Sequence, residues 1–259
     1  MSIKVGSDFS GVGAFDLASE INFLLGCEES QAVCIELRKL GFNAFSCDLQ
    51  QCSGGHPEWH FKQDIFEVIE GGKLITESGE TVFIDKWHCM IAFPPCTHLA
   101  VSGAAWFEQK RKDGRQQQGI DFFMAMVNTD IEMVAIENPV GIMSKLYKKP
   151  SQVIQPYYFG DEAQKTTCLW LKNLPHLYHN SKPNLFDSEI THSGKGEFYE
   201  WVDGKSGKTK KQPKWYAEAF MYGKEHGKER SKTFPGIARA MAEQWGAYIL
   251  EKVYGKADV

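Results

Sequence analysis

The chain of 259 residues lacks an apolar run long enough to cross a membrane, for which about 20 residues are needed. It also lacks a signal-peptide pattern at its first residues, and we therefore expect a cytoplasmic protein with no membrane partner. Positive charge is not in excess, because 29 Lys and Arg against 33 Asp and Glu give a net charge of −4. This balance argues against a wholly basic nucleic-acid coat but permits a local basic surface.

The cysteine spacing of a disulfide scaffold is missing as well. The seven cysteines are an odd number at irregular intervals, and we interpret them as reduced thiols. Cys47, Cys52, His56 and His60 are loosely similar to a zinc site, but their spacing differs from that of common zinc fingers and Cys47 would lie within a strand. We therefore expect no metal.

What the chain does contain is an alternation of apolar strands and helices. The 42% of apolar residues and 24% of charged residues are ordinary for a globular protein. The alternation predicts an α/β fold with a mostly parallel, doubly wound sheet. We predict strands at 21–27, 43–48, 60–64, 90–93 and 131–136, an exposed hairpin at 73–84, a helix after Ser30 that Gly41 ends, and further helices at 119–127 and 236–252.

Two of these strands end in reactive side chains. A Pro-Pro-Cys sequence at 94–96 follows one strand, and a Glu-Asn-Pro sequence at 137–139 follows the next. Ligands of open α/β sheets bind at the carboxyl ends of the strands, and the prolines make a rigid outward turn there. A thiol beside a carboxyl group at this edge suits covalent attack on a carbon electrophile.

This pair of motifs resembles the catalytic signatures of the DNA (cytosine-5) methyltransferase family, most closely its short, phage-type members. The resemblance covers about residues 22–246. It implies a Rossmann-like fold that uses S-adenosylmethionine, a flipped cytosine in double-stranded DNA as the substrate, and no metal. It also implies that Cys96 attacks cytosine C6, that Glu137 hydrogen-bonds the ring, and that Pro95 and Asn138 shape the loop.

The cofactor is expected at the turn after the first strand. The strand, the turn of Cys27, Glu28, Glu29 and Ser30, and a later acid match the general nucleotide-cofactor pattern. By the resemblance, Asp48 would bind the ribose and Asp64 the adenine amino group, with Phe93 beside the cofactor.

The first residues offer an alternative cofactor turn. Residues 8–13 also resemble the family's first motif, Asp-x-Phe-Ser-Gly-x-Gly, and if they formed the working loop, Glu28 would be the ribose acid. We prefer the later turn, because the following motifs then fall in family order without an insertion.

Three sets of basic residues are candidates for contact with DNA. Lys165 lies where the family has a Gln-Arg-x-Arg motif, although the arginines are missing and lysine is not a bidentate donor. Lys210, Lys211 and Lys214 lie in a run of lysines and aromatics, a composition that suits phosphates and unstacked bases. Lys110, Arg111, Lys112 and Arg115 follow the catalytic loop and form a further candidate for phosphate contacts. Lys165 could equally be a solvated surface lysine. The lysine run could be a solvated hairpin, although its position between the motifs favours DNA recognition, and the last set could be a charged helix start.

A lysine near the C-terminus raises a question about the donor. The family's final motif, Gly-Asn-Ser-Val before a helix, corresponds to residues 231–235, so that Lys232 replaces the neutral Asn. A lysine near a sulfonium cation is repulsive, whereas a donor with a carboxylate on its methyl group would form an ion pair with it. Carboxy-S-adenosylmethionine is such a donor and would yield 5-carboxymethylcytosine. Lys232 could instead turn outward to phosphate.

The expected organisation has four segments: an N-terminal extension at 1–20, a catalytic and cofactor-binding core at 21–175, a short DNA-recognition segment at 176–230, and a C-terminal helix at 231–259 that completes the core. We expect a monomer in the cytoplasm of a bacterium or of a phage-infected host. The rival interpretation is a catalytically silent DNA-binding protein on the same fold.

Overall fold

The computed structural model describes residues 17–179, 192–219, 221, 223 and 226–255. The alternative cofactor loop at residues 8–13 lies outside this part of the chain. The strands are β1 (Asn22–Gly26), β2 (Asn43–Cys47), β3 (His60–Phe61), β4 (Gly72–Ile75), β5 (Thr81–Ile84), β6 (Cys89–Ala92), β7 (Met133–Pro139), β8 (Gln152–Ile154), β9 (Thr167–Lys172), β10 (Phe198–Val202) and β11 (Thr209–Pro213).

The helices lie mainly between the strands of the central sheet and after its last strand. They are α1 (Ala32–Lys39), α2 (Ile65–Ile69), α3 (Phe107–Lys112), α4 (Arg115–Val127), α5 (Met143–Leu146), α6 (Lys214–Ala219), α7 (His226–Ser231), α8 (Pro235–Ala240) and α9 (Gly246–Tyr254). A π-helical segment, Met241–Trp245, joins α8 to α9. None of the helices in the described ranges is long and apolar enough to span a membrane.

The central sheet has seven strands in the order β3-β2-β1-β6-β7-β9-β8. The five strands from β3 to β7 run parallel, while β9 is antiparallel to both of its neighbours. The predicted α/β class with a mostly parallel sheet is therefore confirmed. The hairpin expected at 73–84 is β4 and β5, and β10 and β11 form a second hairpin.

Two predicted strand ends differ from the structure. Glu137, Asn138 and Pro139 do not leave the sheet but extend β7, because β9 pairs with them. Asp64 does not end a strand, since β3 stops at Phe61. Its side chain caps α2 instead and accepts a hydrogen bond from the Phe66 amide at 3.0 Å.

The sheet separates two apolar layers. Successive residues of β1 point to opposite faces, so that Phe23 and Leu25 join one cluster while Leu24 joins the other. The first cluster contains side chains of α1, α8 and α9, and the second contains side chains of α2, α4 and the β4–β5 hairpin. Helices cover both faces of the sheet. The loops therefore converge at the carboxyl edge of the parallel strands.

Candidate active site

The turn that carries the thiol lies beside the strand that carries the acid. β6 and β7 are parallel neighbours, and Ala92 at the end of β6 pairs with Ile136 directly before Glu137. Asn138 is 2% exposed, and its side-chain amide donates to the Pro94 carbonyl at 2.8 Å. A buried hydrogen bond thus fixes the turn to β7, and Asn138 has the loop-holding position that the sequence predicts for it.

Further hydrogen bonds define the loop after Cys96. The Cys96 carbonyl accepts from the Leu99 and Ala100 amides, both at 2.9 Å. The Lys110 ammonium, on α3, donates to the Thr97 carbonyl at 2.6 Å. The side chain of Pro95 is exposed, and that of Cys96 is partly buried.

The Cys96 thiol is half-buried and faces charges of both signs. Burial and the neighbouring Glu137 raise its pKa, while Lys165 and Arg230 act in the opposite direction. A thiolate is the nucleophilic form of cysteine, so the two cations favour the reactive state. The structure therefore brings together the thiol, the acid and Lys165, as the motif positions predict.

Glu137 and Lys165 lie near each other, and each shifts the pKa of the other. Burial raises the pKa of the Glu137 carboxyl, and the Lys165 cation opposes that effect. Burial lowers the pKa of Lys165, whereas Glu137 and Cys96 raise it. The Lys165 ammonium also donates to the Lys232 carbonyl at 3.2 Å. Lys165 is thus a member of the site rather than a solvated surface lysine.

A small pocket opens beside this pair. Besides Glu137 and Lys165, its lining comes from β9, from the segment before α8 and from α8 itself: Thr167, Thr233, Phe234 and Ile237. Lys232 directly precedes Thr233, and its carbonyl contact with Lys165 places its backbone at the rim of this pocket. The C-terminal segment therefore contributes to the same site as β6 and β7.

The turn between β1 and α1 has unusual backbone conformations. Cys27 and Gln31 adopt φ angles of 58° and 57°, which is rare for residues other than glycine. Gln31 is buried, and its side-chain amide donates to the Ser46 hydroxyl at 3.2 Å and to the His56 carbonyl at 2.9 Å. Strained conformations of this kind concentrate at functional sites and persist only where the surroundings enforce them.

Within this turn both side-chain oxygens of Glu28 accept hydrogen bonds from backbone amides. One of its oxygens accepts from the Val33 amide at 2.7 Å and the other from the Cys34 amide at 3.2 Å, so it caps α1. Its side chain is buried, which raises its pKa to about 8 in spite of these bonds. Glu29 is buried too, and its carbonyl accepts from the Ser53 amide at 2.7 Å. Ser30 is partly buried.

Two acids lie near the turn between β1 and α1. Burial and then the carboxylates of Asp48 and Asp64 raise the pKa of the Cys27 thiol, which places both acids within electrostatic reach of that residue. Asp48 is partly buried, Asp64 is exposed, and Phe93 donates its amide to the Gly26 carbonyl at 2.8 Å. The turn, the two acids and Phe93 thus share the carboxyl edge of β1, β2, β3 and β6.

The loose resemblance to a zinc site has no counterpart in the geometry. His60 is fully buried, and its ring nitrogens are hydrogen-bonded to the Ser46 hydroxyl at 2.8 Å and to the Gln50 carbonyl at 2.9 Å. Within the described ranges, no group of three or more His, Cys, Asp or Glu side chains could hold a metal ion.

The lysines of β11 are exposed, and Lys214 at the start of α6 is partly exposed. Lys210 pairs with Asp203, and Lys214 pairs with Glu197 at 2.6 Å. Lys211 lies over the Phe198 ring at 5.6 Å and forms no ion pair with a residue in the described ranges. Arg115, which follows α3, pairs with Asp113 at 2.5 Å.

Arg230 was not found from the sequence. It acts on the Cys96 thiol from α7, with its guanidinium 4.2 Å from the centre of the Tyr216 ring. It belongs to no recognisable motif, and only the fold shows that it is close to the thiol. Lys110 was expected among the residues that contact phosphate, but it is buried in α3 and donates to the loop of Cys96.

Comparison with known proteins identifies no family for this chain. No protein-family model matches the chain, and no curated protein matches it significantly.

Proposed function

We propose that the protein alkylates C5 of cytosine in DNA through a covalent bond between Cys96 and cytosine C6. The observation that carries this proposal is the juxtaposition of the Cys96 thiol, the Glu137 carboxyl and the Lys165 ammonium at the edge of a mostly parallel sheet. The Asn138–Pro94 hydrogen bond keeps the thiol and the acid in a fixed arrangement. The motif resemblance to DNA (cytosine-5) methyltransferases agrees with these roles.

Each of the three side chains has a role in the reaction. The Cys96 thiolate forms the bond to C6, and the electrons of the C5–C6 double bond move to C5. Glu137, whose raised pKa favours its protonated form, donates a hydrogen bond to the ring and stabilises the charge that develops there. Lys165 contributes a cation near the same ring. After alkylation the C5 proton leaves to a base and the C6–sulfur bond breaks, which regenerates Cys96.

The residues around the first turn fit S-adenosylmethionine. Asp48 and Asp64 lie near Cys27, where one carboxylate suits the ribose hydroxyls and the other an adenine amino group. Asp48 suits the ribose better than Glu28, because both oxygens of Glu28 already accept backbone amides. Bound in this place, S-adenosylmethionine would supply an electrophilic methyl group for C5.

The second candidate is carboxymethyl transfer from carboxy-S-adenosylmethionine. The observation that favours it is the placement of Lys232, whose carbonyl bonds to Lys165 and whose neighbour Thr233 lines the pocket beside Glu137. From that position the Lys232 ammonium would pair with a donor carboxylate, and such a pair offsets the repulsion between a lysine and a sulfonium.

The two candidates differ in the mass of their product. Purified protein is incubated with double-stranded DNA and both donors, and the nucleosides are analysed by mass spectrometry. 5-Methylcytosine supports methyl transfer, and 5-carboxymethylcytosine that is lost in Lys232→Asn supports the second candidate. If neither product forms with any donor, the protein is a DNA-binding protein without this activity or acts on another substrate, and the proposed function is wrong.

A further inference from the structure

Two histidines join the protein core to the segment that leads into the β10–β11 hairpin. His179 Nδ1 and His192 Nε2 are hydrogen-bonded to each other at 2.9 Å. On the core side, the amide and the carbonyl of Tyr178 both bond to the side chain of Gln244, at 2.7 Å and 3.0 Å, in the π-helical segment. His179 is therefore attached to the core, and His192 is the residue through which the hairpin segment meets it.

One tyrosine ring is stacked on both imidazoles. The centre of the Tyr158 ring lies 4.3 Å from that of His179 and 4.6 Å from that of His192, with interplanar angles of 16° and 22°. Both histidines are partly buried. Beside the stack, the Ser193 amide donates to the Tyr157 carbonyl at 2.9 Å. These contacts hold the two imidazoles in the orientation in which their nitrogens meet.

The surroundings of the pair oppose positive charge on it. Burial, followed by the neighbouring His192, lowers the pKa of His179. The titratable side chains on the adjacent elements come from the 3₁₀ turn at Pro156–Phe159, from the segment after His192 and from the π-helical segment: Tyr157, Tyr158, Lys195 and Glu243. Lys195 lies 5.6 Å from the centre of the Tyr157 ring, and Glu243 is exposed. A hydrogen bond with Tyr157 raises the pKa of Tyr158, so its phenol stays neutral where histidine titrates.

We propose that the His179–His192 pair is a pH-sensitive latch that anchors the start of the β10–β11 hairpin segment to the core. A hydrogen bond between two imidazole nitrogens needs one N–H donor and one lone pair. The pair meets this condition when both rings are neutral and also when one ring is charged. When both rings are charged, two N–H groups face each other and two cations repel, so the latch opens. Because histidine titrates between about pH 5 and pH 8 and burial opposes the charge, the opening belongs to the acidic end of that range.

Contacts beyond the latch connect the hairpin segment to the candidate active site. The Glu197 carbonyl, directly before β10, accepts from the Lys214 amide at 2.8 Å, and the two side chains form an ion pair at 2.6 Å. Trp215, the next residue of α6, packs edge-on against Phe234 with ring centres 5.2 Å apart, and Phe234 lines the pocket of the site. Opening of the latch should therefore loosen the hairpin and the start of α6. The inference does not depend on which reaction the site performs.

Hydrogen exchange of the full chain, followed by mass spectrometry, tests the latch. Exchange rates of the β10 and β11 amides are compared with their intrinsic rates at about pH 7.5 and about pH 5, which gives protection factors free of the direct effect of pH on exchange. We expect wild-type protection of this hairpin to fall by about tenfold or more at the lower pH, because the open form gains a factor of about ten for each pH unit below the second titration. The β4–β5 hairpin should keep its protection.

A charge-free replacement of one histidine separates the latch from a general effect of acid. In His192→Gln the amide nitrogen takes the place of the imidazole Nε2 and cannot become charged, so protection of β10 and β11 should stay at the wild-type neutral value at both pH values. His192→Ala should show the reduced protection at both. His176→Ala removes an exposed histidine close in sequence and should behave as the wild type. The comparison with His192→Gln stands alone if His192→Ala does not fold.

Three outcomes would overturn the inference. The first is equal protection of β10 and β11 in the wild type at both pH values, and the second is the same loss in acid for His192→Gln. The third is a loss of protection at neutral pH when a metal chelator is added, which would show that the two nitrogens hold a metal ion and not a shared proton. None of these measurements involves the alkylation reaction, so a failure of the proposed function would leave the test of the latch intact.

Discussion

Lys165 places a cation near both the Cys96 thiol and the Glu137 carboxyl. A neighbouring cation stabilises the thiolate and so lowers the pKa of the thiol. Lys165→Met should therefore raise the pKa of Cys96 and move the pH dependence of adduct formation to higher pH. Because the thiolate fraction falls tenfold for each unit of increase, we expect the rate near neutral pH to fall by about tenfold or more.

The control for this prediction keeps the charge and changes only the shape. Lys165→Arg should retain a pH profile close to that of the wild type, and the rates are measured from about pH 6 to pH 9.5 with 5-fluorocytosine DNA. A Lys165→Met variant that slows equally at every pH would show that Lys165 acts on binding or packing, and the electrostatic role would be wrong.

The sequence could not decide whether Lys165 was solvated or part of the site. Its burial depends on Phe234 and on the Lys232 carbonyl, which lie more than sixty residues further along the chain. Arg230 was missed for the same reason, since its closeness to Cys96 comes from the path of α7 and not from a local pattern. The positions of Cys96 and Glu137 were predictable, because Glu137 directly follows a strongly apolar strand sequence and Cys96 follows another after two prolines.

The loop of Cys96 depends on the first turns of the helix that follows it. Lys110 lies in α3, and its ammonium donates a hydrogen bond to the carbonyl of Thr97, thirteen positions earlier in the chain. We expect Lys110→Met to lower kcat by about tenfold or more, because the removal of a hydrogen bond from a charged donor costs ~1.5–3 kcal/mol. The KM for the donor should remain unchanged, since the proposed cofactor turn lies elsewhere. These two results together would identify Lys110 as a positioning residue.

A matched pair of variants checks this role. Lys39→Met removes an exposed lysine from the end of α1 and should leave both constants unchanged. Lys110→Arg should restore part of kcat, and circular dichroism should show the same fold in every variant. A Lys110→Met protein with normal kcat would mean that the loop holds its position without the lysine.

Element boundaries were predictable where the local sequence determines them. β1, β2 and the β4–β5 hairpin agree with the apolar pattern, and Gly41 follows α1 with a φ of 86° as a helix-ending glycine should. β7 is longer than predicted because its last three residues pair with β9, a partner about thirty residues away. β9 was not predicted as a strand, and the expectation of a mostly parallel sheet did not say which strand would be antiparallel.

A buried acid links the stability of the whole fold to pH. Glu28 caps α1 beneath the sheet edge, and its pKa is raised from 4.5 to about 8. A carboxyl that binds its proton more tightly in the folded state stabilises the fold at low pH and loses that contribution as pH rises towards 8. As pH rises across this range, the free energy of unfolding of the wild type should fall. That of Glu28→Gln should fall less, and we expect the two falls to differ by about a few kcal/mol.

Urea unfolding at about pH 5 and pH 8.5 measures this difference. Glu36→Gln, on the exposed side of the same helix, should retain the pH dependence of the wild type. Glutamine keeps one acceptor for the Val33 amide, so the comparison isolates the charge rather than the cap. Identical pH dependence in Glu28→Gln and the wild type would show that Glu28 is charged in the folded protein at neutral pH, and the effect assigned to its burial would be wrong.

At the scale of the whole molecule, the candidate site is formed by segments that lie far apart in sequence. β6, β7, β9 and the segment before α8 meet at one edge, and Asp48 and Asp64 lie at the same edge of neighbouring strands. The α/β class and this edge were predictable from apolar strands that end in polar residues. The strand order and the return of the C-terminal segment to the pocket were not, because they depend on packing between distant elements.

The most direct measurement is the detection of a covalent adduct between Cys96 and DNA. The wild-type chain is incubated with the donor and duplex DNA containing 5-fluorocytosine, and intact mass and peptide mapping locate the linkage. We predict a stable complex whose modified peptide contains Cys96, and no complex with Cys96→Ser, although that variant should bind the donor as the wild type does. Absence of the wild-type adduct, or an adduct that persists in Cys96→Ser, would contradict the proposed function.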